Sequence, residues 1–195
     1  MTGKTHVAIG IATALTISLK QPIESQLFVV ISSAIGSLVP DLDHPKGKLN
    51  QRLLLINNNL YRALFYLSLG GIFMYLYFLK EMKLFLLLGI TALFIGISSH
   101  RGFTHSIIGF LAFASIARIC TLDYGLSSVY SGFTIGYLSH LIADFFNPKG
   151  IKLFYPLNVN VSSPITISTN SKTEKIMFLL LGIYCICLLF GTFYL

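Results

Sequence analysis

The sequence predicts an all-α, polytopic membrane bundle of about five to seven helices, with its metal-ligating residues converging on one membrane face. Three observations carry this. The 195 residues are 54% hydrophobic and only 11% charged, with a mean hydropathy of +0.76, whereas a soluble domain is about 45–50% apolar and about 25% charged. Apolar runs recur along the chain, the clearest being Ile176–Leu195, twenty residues without a charge, enough to cross a hydrocarbon core of about 30 Å. All five histidines and three of the seven acidic residues sit beside or just beyond such runs. The length fits one membrane-embedded domain spanning 1–195.

The runs, in order, are Val7–Leu19, Leu27–Val39, Ala63–Leu79, Leu84–Ser99, Ile107–Cys120, about Gly125–Phe146, and Ile176–Leu195. Lys4 ahead of the first run suggests a signal peptide, but the small-residue pattern Ala12-Thr13-Ala14 falls inside the run rather than after it, so the segment reads as mature protein. The first two runs hold thirteen residues each, about 20 Å as helix. They suit a buried re-entrant pair, or crossings where the surroundings thin. Ala63–Leu79 and Leu84–Ser99 form a hairpin with the charged tip Lys80-Glu81-Met82-Lys83. Gly102 is expected to supply the backbone freedom for a tight connection into the fifth run. Leu153–Asn170, β-branched and with two prolines, reads as irregular, and Ser171-Lys172-Thr173-Glu174 has the spacing of a capping box for the last helix.

If each run crosses once, His6, Asp41, Asp43, His44, His100, Arg101, His105, His140 and Asp144 all emerge on one side. Of the 14 Lys and Arg, only Lys20, Lys80, Lys83 and Arg118 fall opposite, which places the ligand side in the cytoplasm. The net charge of +7 does not indicate a nucleic-acid partner: there is no basic run interleaved with exposed aromatics, and Tyr and Phe fall inside the apolar runs. Cys120, Cys185 and Cys187 read as buried thiols rather than ligands or a disulfide.

The polar residues near the runs are metal-ligating types. Mixed His/Asp clusters hold zinc, manganese or iron, and ionisable residues at membrane depth are costly and usually functional. His140 and Asp144 stand at i and i+4, on one helix face. Asp41 and Asp43 both aim inward if the backbone there is extended, His100 and His105 flank a turn, and His6 adds a nitrogen from a separate element. With His44 these make eight candidates, too many for one tetrahedral zinc and about right for two or more ions, zinc foremost and manganese second. Such a pair would activate a water and clamp the oxygens of a phosphoester. Arg101 suits the phosphate, since its planar fork meets two oxygens at once; Asp43 is the other candidate catalytic group. Thr104 and Ser106 are expected to support the ligands.

Thr5-His6, Pro40-Asp41-Leu42-Asp43-His44, His100-Arg101-Gly102-Phe103-Thr104-His105-Ser106 and Gly136-Tyr137-Leu138-Ser139-His140-Leu141-Ile142-Ala143-Asp144 together resemble the YdjM family of inner-membrane proteins, described as metal-dependent hydrolases. The resemblance runs from His6 to about Pro156 and implies ligands at His6, Asp41, His100, His105, His140 and Asp144. It departs from the family pattern at Asn147, where threonine is expected. A more distant similarity, to zinc-dependent phospholipase C and P1-type nucleases, implies an all-helical fold with clustered zinc; those enzymes' amino-terminal tryptophan has no counterpart in a chain without Trp.

The expected function is therefore a membrane-bound, metal-dependent hydrolase of the inner membrane. Its expected substrate is a phosphoester, that of a membrane lipid included. Two other classes use the same residues: a divalent-cation transporter, which would place ligands near mid-membrane on broken helices, and a non-catalytic, metal-stabilised membrane protein.

Overall fold

The computed structural model describes residues 1–192. Among them are eight helices: α1 Gly3–Ser18, α2 Ile23–Gly36, α3 Asn50–Leu53, α4 Asn59–Lys80, α5 Lys83–Ile97, α6 Ile107–Thr121, α7 Ser127–Phe145 and α8 Lys172–Thr192. Three short 3-10 turns, Val39–Asp43, Phe103–His105 and Leu122–Tyr124, join them. Seven of the helices match the seven apolar runs, and α3 is a single turn within the polar stretch between the second and third. Residues 193–195, the tail of the last run, lie outside the described residues.

Four segments are long and apolar enough to cross a membrane: Ile23–Asp43, Asn59–Lys80, Ile107–Tyr124 and Lys172–Phe190. α2 thus gains length from the 3-10 turn that follows it, which removes much of its apparent shortness. That segment is also the most enclosed, 44% buried against 6% for Lys172–Phe190. Outer helices expose large apolar side chains, such as Leu64, Ile72 and Phe78 on α4 and Leu179, Ile183 and Ile186 on α8, a surface that only lipid would cover. Cys120 and Cys187 belong to this outer surface, and only Cys185 is half-buried; the expected burial of all three thiols inside the protein is not found.

At the centre α1, α2 and α7 pack on one another; α8 lies against α1, α6 against α7, and the α4–α5 hairpin joins through α5 and α6. The α2–α7 seam is made by small residues. A Cβ added at Gly132 would stand 2.2 Å from the Val29 carbonyl oxygen, and one at Gly136 2.0 Å from that of Ser33. This small-xxx-small spacing lets two backbones touch where no hydrophobic gain drives helices together. Ser37 Oγ donates to the Ser33 carbonyl at 2.8 Å, and Ser33 Oγ donates to the Gly10 carbonyl at 2.9 Å, tying α1 in.

Local chemistry sets the helix ends near the site. Ser106 Oγ accepts from the Gly109 N–H at 3.1 Å and donates to the Phe103 carbonyl at 2.6 Å, so Ser106 is the N-cap of α6. Arg62, buried on α4, donates to the carbonyls of Ile95 at 2.7 Å and Ser98 at 3.0 Å, satisfying the end of α5 just before His100. At α8, Ser171 Oγ accepts from the Glu174 N–H at 3.1 Å, half of the expected capping box. The Glu174 carboxylate instead accepts from the Thr2 and Asn170 amides at 2.5 and 2.6 Å, fastening α8 to the start of α1.

The left-handed residue of the α5–α6 connection is Arg101, with φ of 64°, and not Gly102, whose φ is −90°. Gly102 is required for room: a Cβ there would meet the Ser99 carbonyl oxygen at 2.7 Å. Leu153–Asn170 is irregular as expected. It folds back on the end of α7 through an isolated bridge between Ile151 and Val161 and through bonds from the Ser163 and Ile167 amides to the Phe145 and Phe146 carbonyls.

Candidate metal centre

α1, the 3-10 turn after α2, the α5–α6 connection and α7 all end at the same face and bring their ionisable side chains together. Three groups of donors arise, each with one ligand atom per residue and all such atoms within 4.8 Å: His6, His140 and Asp144; Asp41, His105 and His140; and Asp43, His100 and His105. The first and third share no residue, and each could hold a metal ion through three side chains. The middle group draws on both and competes with them.

Each imidazole has an identifiable support. α2 stops at Gly36, and the Ser37 carbonyl that follows lies 2.7 Å from His140 Nδ1. That nitrogen must donate, which leaves the His140 Nε2 lone pair aimed at the cluster; an outer hydrogen bond of this kind fixes a ligand's tautomer and orientation. His6 stacks on His140 with ring centroids 3.7 Å apart, places Nε2 3.3 Å from Asp144 Oδ1, and keeps a buried Nδ1 without a partner. His105 Nδ1 lies 3.1 Å from Thr104 Oγ1 and 3.3 Å from Asp43 Oδ2, and its Nε2 3.2 Å from His140 Nε2. Tyr137, fully buried, donates to the Thr104 carbonyl at 2.6 Å and so holds the turn beneath His105.

The two facing Nε2 atoms decide whether a cation fits. Since His140 Nε2 carries a lone pair, two imidazoles 3.2 Å apart need either a proton or a metal between them. Without metal the proton sits on His105. Burial alone would lower its pKa, but the carboxylates of Asp43 and Asp144 outweigh that and push it up to about 10. A divalent transition-metal cation could take the same place, among nitrogen and carboxylate donors of the kind zinc and manganese accept. Loading must then expel that proton. Titrating zinc into weakly buffered protein is expected to acidify the solution, and affinity is expected to rise with pH towards about 10. Loading without proton release would show that His105 was neutral at the start.

Asp41 and Asp43 lie on a 3-10 turn, not on the extended backbone expected for them, and so they serve different neighbours. Asp41 Oδ1 is 3.9 Å from His140 Nε2. Asp43, fully buried, has Oδ1 2.8 Å from His100 Nδ1 and accepts the Arg101 N–H on Oδ2 at 2.8 Å. Arg101 Nη2 pairs with Asp144 Oδ2 at 3.1 Å, and Nη1 donates to the Gly150 carbonyl at 2.9 Å and to Asn147 Oδ1 at 3.4 Å. Nε is left without a partner. Asn147 also donates to Thr169 Oγ1 at 3.0 Å. It therefore steadies the arginine and the returning loop.

His44 stands apart. Its ring meets that of His100 edge-on at 4.5 Å, and its Nδ1 accepts from the Lys46 N–H at 3.1 Å. Burial and the neighbouring His100 push its pKa below the ordinary imidazole value, so the neutral ring keeps a proton on Nε2 and has no lone pair left for a metal. Asn50 on α3 donates to the Leu42 and His44 carbonyls at 2.8 Å each and accepts from Tyr66 Oη at 2.7 Å, bracing this turn. Above the cluster opens a cavity of about 270 Å³, lined by Asp41, His44, His100 and four cations, Lys46, Lys48, Lys149 and Arg101, among others.

The YdjM inner membrane protein family matches residues 1–195. The chain belongs to this family. Among similar proteins, the uncharacterized protein YvsG of Bacillus subtilis (strain 168) is 27% identical over 177 residues, covering 91% of this chain and 87% of its own. The inner membrane protein YdjM of Escherichia coli (strain K12) is 26% identical over 174 residues, covering 86% of this chain and 71% of its own. No solved structure matches. All six ligands that the YdjM resemblance implies lie within the three donor groups; Asp43 joins them and His44 does not.

Proposed function

We propose that this protein is a membrane-bound, metal-dependent hydrolase of phosphoesters. One observation carries the reading: Asp41 and His100, two members of the buried cluster of nitrogen and carboxylate donors, also line a cavity whose wall is cationic. A donor cluster alone is compatible with transport or with structural metal. A ring of Lys46, Lys48, Lys149 and Arg101 over it calls for an anion. The donors also sit at helix ends and not at mid-depth on broken helices, which disfavours a transit site.

Zinc or manganese bound here would supply a Lewis acid and lower the pKa of a water. The protein's own residues do the rest. Lys46, Lys48 and Lys149 draw the phosphoester in, and the Arg101 guanidinium completes the positive wall around it. Asp41, the carboxylate common to the cavity wall and the donor cluster, takes the proton of the attacking water. The His44 Nε2–H stands on the same wall to donate a hydrogen bond to the phosphoester, and the proton that Asp41 takes from the water is the one passed on to the leaving oxygen. Asp43, beneath the wall, positions His100, His105 and the Arg101 backbone without meeting substrate.

The test is hydrolysis of bis(p-nitrophenyl) phosphate by purified protein loaded with zinc or manganese. Activity should vanish on chelation and return with metal. Arg101→Lys should lower turnover about 100-fold, as loss of one oriented donor does, at unchanged metal content. Loss of metal would instead make Arg101 structural, and loaded wild-type protein inert on every phosphoester offered would overturn the hydrolase reading.

The site faces the cytoplasm in this proposal. Arg62 and Arg101 are engaged inside the protein, which leaves eight basic residues on the ligand side against four opposite, still the asymmetry of a cytoplasmic face. Single cysteines at Lys46 and Asn160, in a background lacking the native three, should resist a membrane-impermeant thiol reagent in intact cells, while one at Glu81 should react. The reverse pattern would place the site outside.

A further inference from the structure

Beside the cavity, a groove runs between α1 and α8. Its outer part, about 480 Å³, is bordered by Thr2, Lys4, Lys48, Asn170, Lys175 and Phe178. Its inner part, about 390 Å³, continues along Val7, Ala8, Ile11, Leu181 and Gly182. Lys4, Lys48 and Phe178 border both parts, and Gly3 and Lys48 also border the cavity over the donor cluster. The stem of Lys48 lies along Gly3, where an added Cβ would meet its Cδ at 3.4 Å. Lys48 is thus the partition between groove and cavity.

The chemistry of the groove changes with depth. At the mouth stand the exposed ammonium groups of Lys4, Lys48 and Lys175. The carboxylate there, Glu174, is already bound to the Thr2 and Asn170 amides, so an incoming anion meets mostly positive charge. Further in, the walls are apolar. Beyond its inner part, a hydrogen bond of 2.8 Å between the Thr16 and Tyr184 hydroxyls joins α1 to α8, about 20 Å along α1 from Gly3. The outer face of α8 is almost wholly unburied, so the groove lies where lipid can enter it from the side.

We propose that this groove seats one acyl chain of an anionic glycerophospholipid, with its phosphate held by Lys4, Lys48 and Lys175 and its headgroup directed past Lys48 into the cavity. Charge at the mouth and an apolar depth select an amphiphile with a negative headgroup; a free phosphate would leave the inner part unfilled. Delivery to the cavity rests on the hydrolase reading. The seating does not, and it is measured separately.

The experiment is native mass spectrometry of metal-free, delipidated protein after addition of phosphatidylglycerol or phosphatidylcholine. Wild-type protein should retain one phosphatidylglycerol. Gly182→Trp fills the groove without a clash, since nothing lies within 4 Å of an added Cβ, and should lower retention about tenfold or more by occupying the chain's place. Gly71→Trp, at an equally open position on α4, should leave retention unchanged. The triple change Lys4→Gln, Lys48→Gln, Lys175→Gln should erase the preference for phosphatidylglycerol. Retention by Gly182→Trp at the wild-type level would overturn the proposal, as would equal loss in Gly71→Trp or a preference that survives the triple change. A hydrolase reading that fails, with loaded wild-type protein inert, leaves these binding results standing, so the two failures are distinguishable.

Discussion

The His105→Ala, His140→Ala double variant should purify without metal, while each single variant should keep about half of the wild-type content. His140 belongs to the first and second donor groups and His105 to the second and third. Removing His140 leaves Asp43, His100 and His105 intact; removing His105 leaves His6, His140 and Asp144. The double change leaves no complete group. Even outer partners of a ligand are worth about 10–100-fold in metal affinity, so loss of one donor in three should empty its position at ordinary metal concentrations. Elemental analysis per chain reads this directly. A double variant with wild-type content would mean that the metal is elsewhere, and singles as empty as the double would mean that the two positions fill only together.

Gly136→Ala should cost both stability and metal. Its Cβ would stand 2.0 Å from the Ser33 carbonyl oxygen, a backbone atom that cannot rotate away, so α2 and α7 must separate. Overpacking of this kind costs about 1–3 kcal/mol or more. The separation also pulls the Ser37 carbonyl from His140 Nδ1 and moves the turn that carries Asp41. Thermal unfolding in detergent should shift down, and metal content should fall with it. Gly71→Ala, with nothing within 4 Å of its Cβ, should be neutral or gain about 0.5–1 kcal/mol in helix propensity. A Gly136→Ala protein as stable and as metal-rich as wild type would show that the seam does not set the site.

The apolar runs were legible because lipid-facing helices carry an uninterrupted signal, and the alternation of runs was enough to bring His6, Asp41, His100, His105, His140 and Asp144 to one face. The supports of those residues were much less legible. The partner of His140 is a backbone carbonyl at Ser37, and a carbonyl leaves no mark in a sequence. The left-handed position falls on Arg101, held by Asp43 and Asp144, where composition favoured Gly102. Asp43 was visible as a candidate, but its burial below the cavity wall depends on a 3-10 turn that spacing alone does not distinguish from an extended one. Two signals in the sequence could have pointed to the packing. Gly132 and Gly136 have the spacing of a close helix pair, and Arg62 stands at the head of an apolar run, where an unpaired charge would be costly.

Arg62 has a consequence beyond the end of α5. α4 is 22 residues long and α5 only 15, about 33 and 22 Å, so a bilayer can match one helix of this hairpin only by tilting the other. Arg62 converts that tilt into a pull on the Ser98 carbonyl, two residues before His100. A hairpin whose longer helix is only 11% buried within the protein is therefore mechanically joined to one of its proposed ligands. Membrane thickness becomes a variable of the site, and reconstitution in bilayers of short or long acyl chains should register as a change at His100 before it registers at His6.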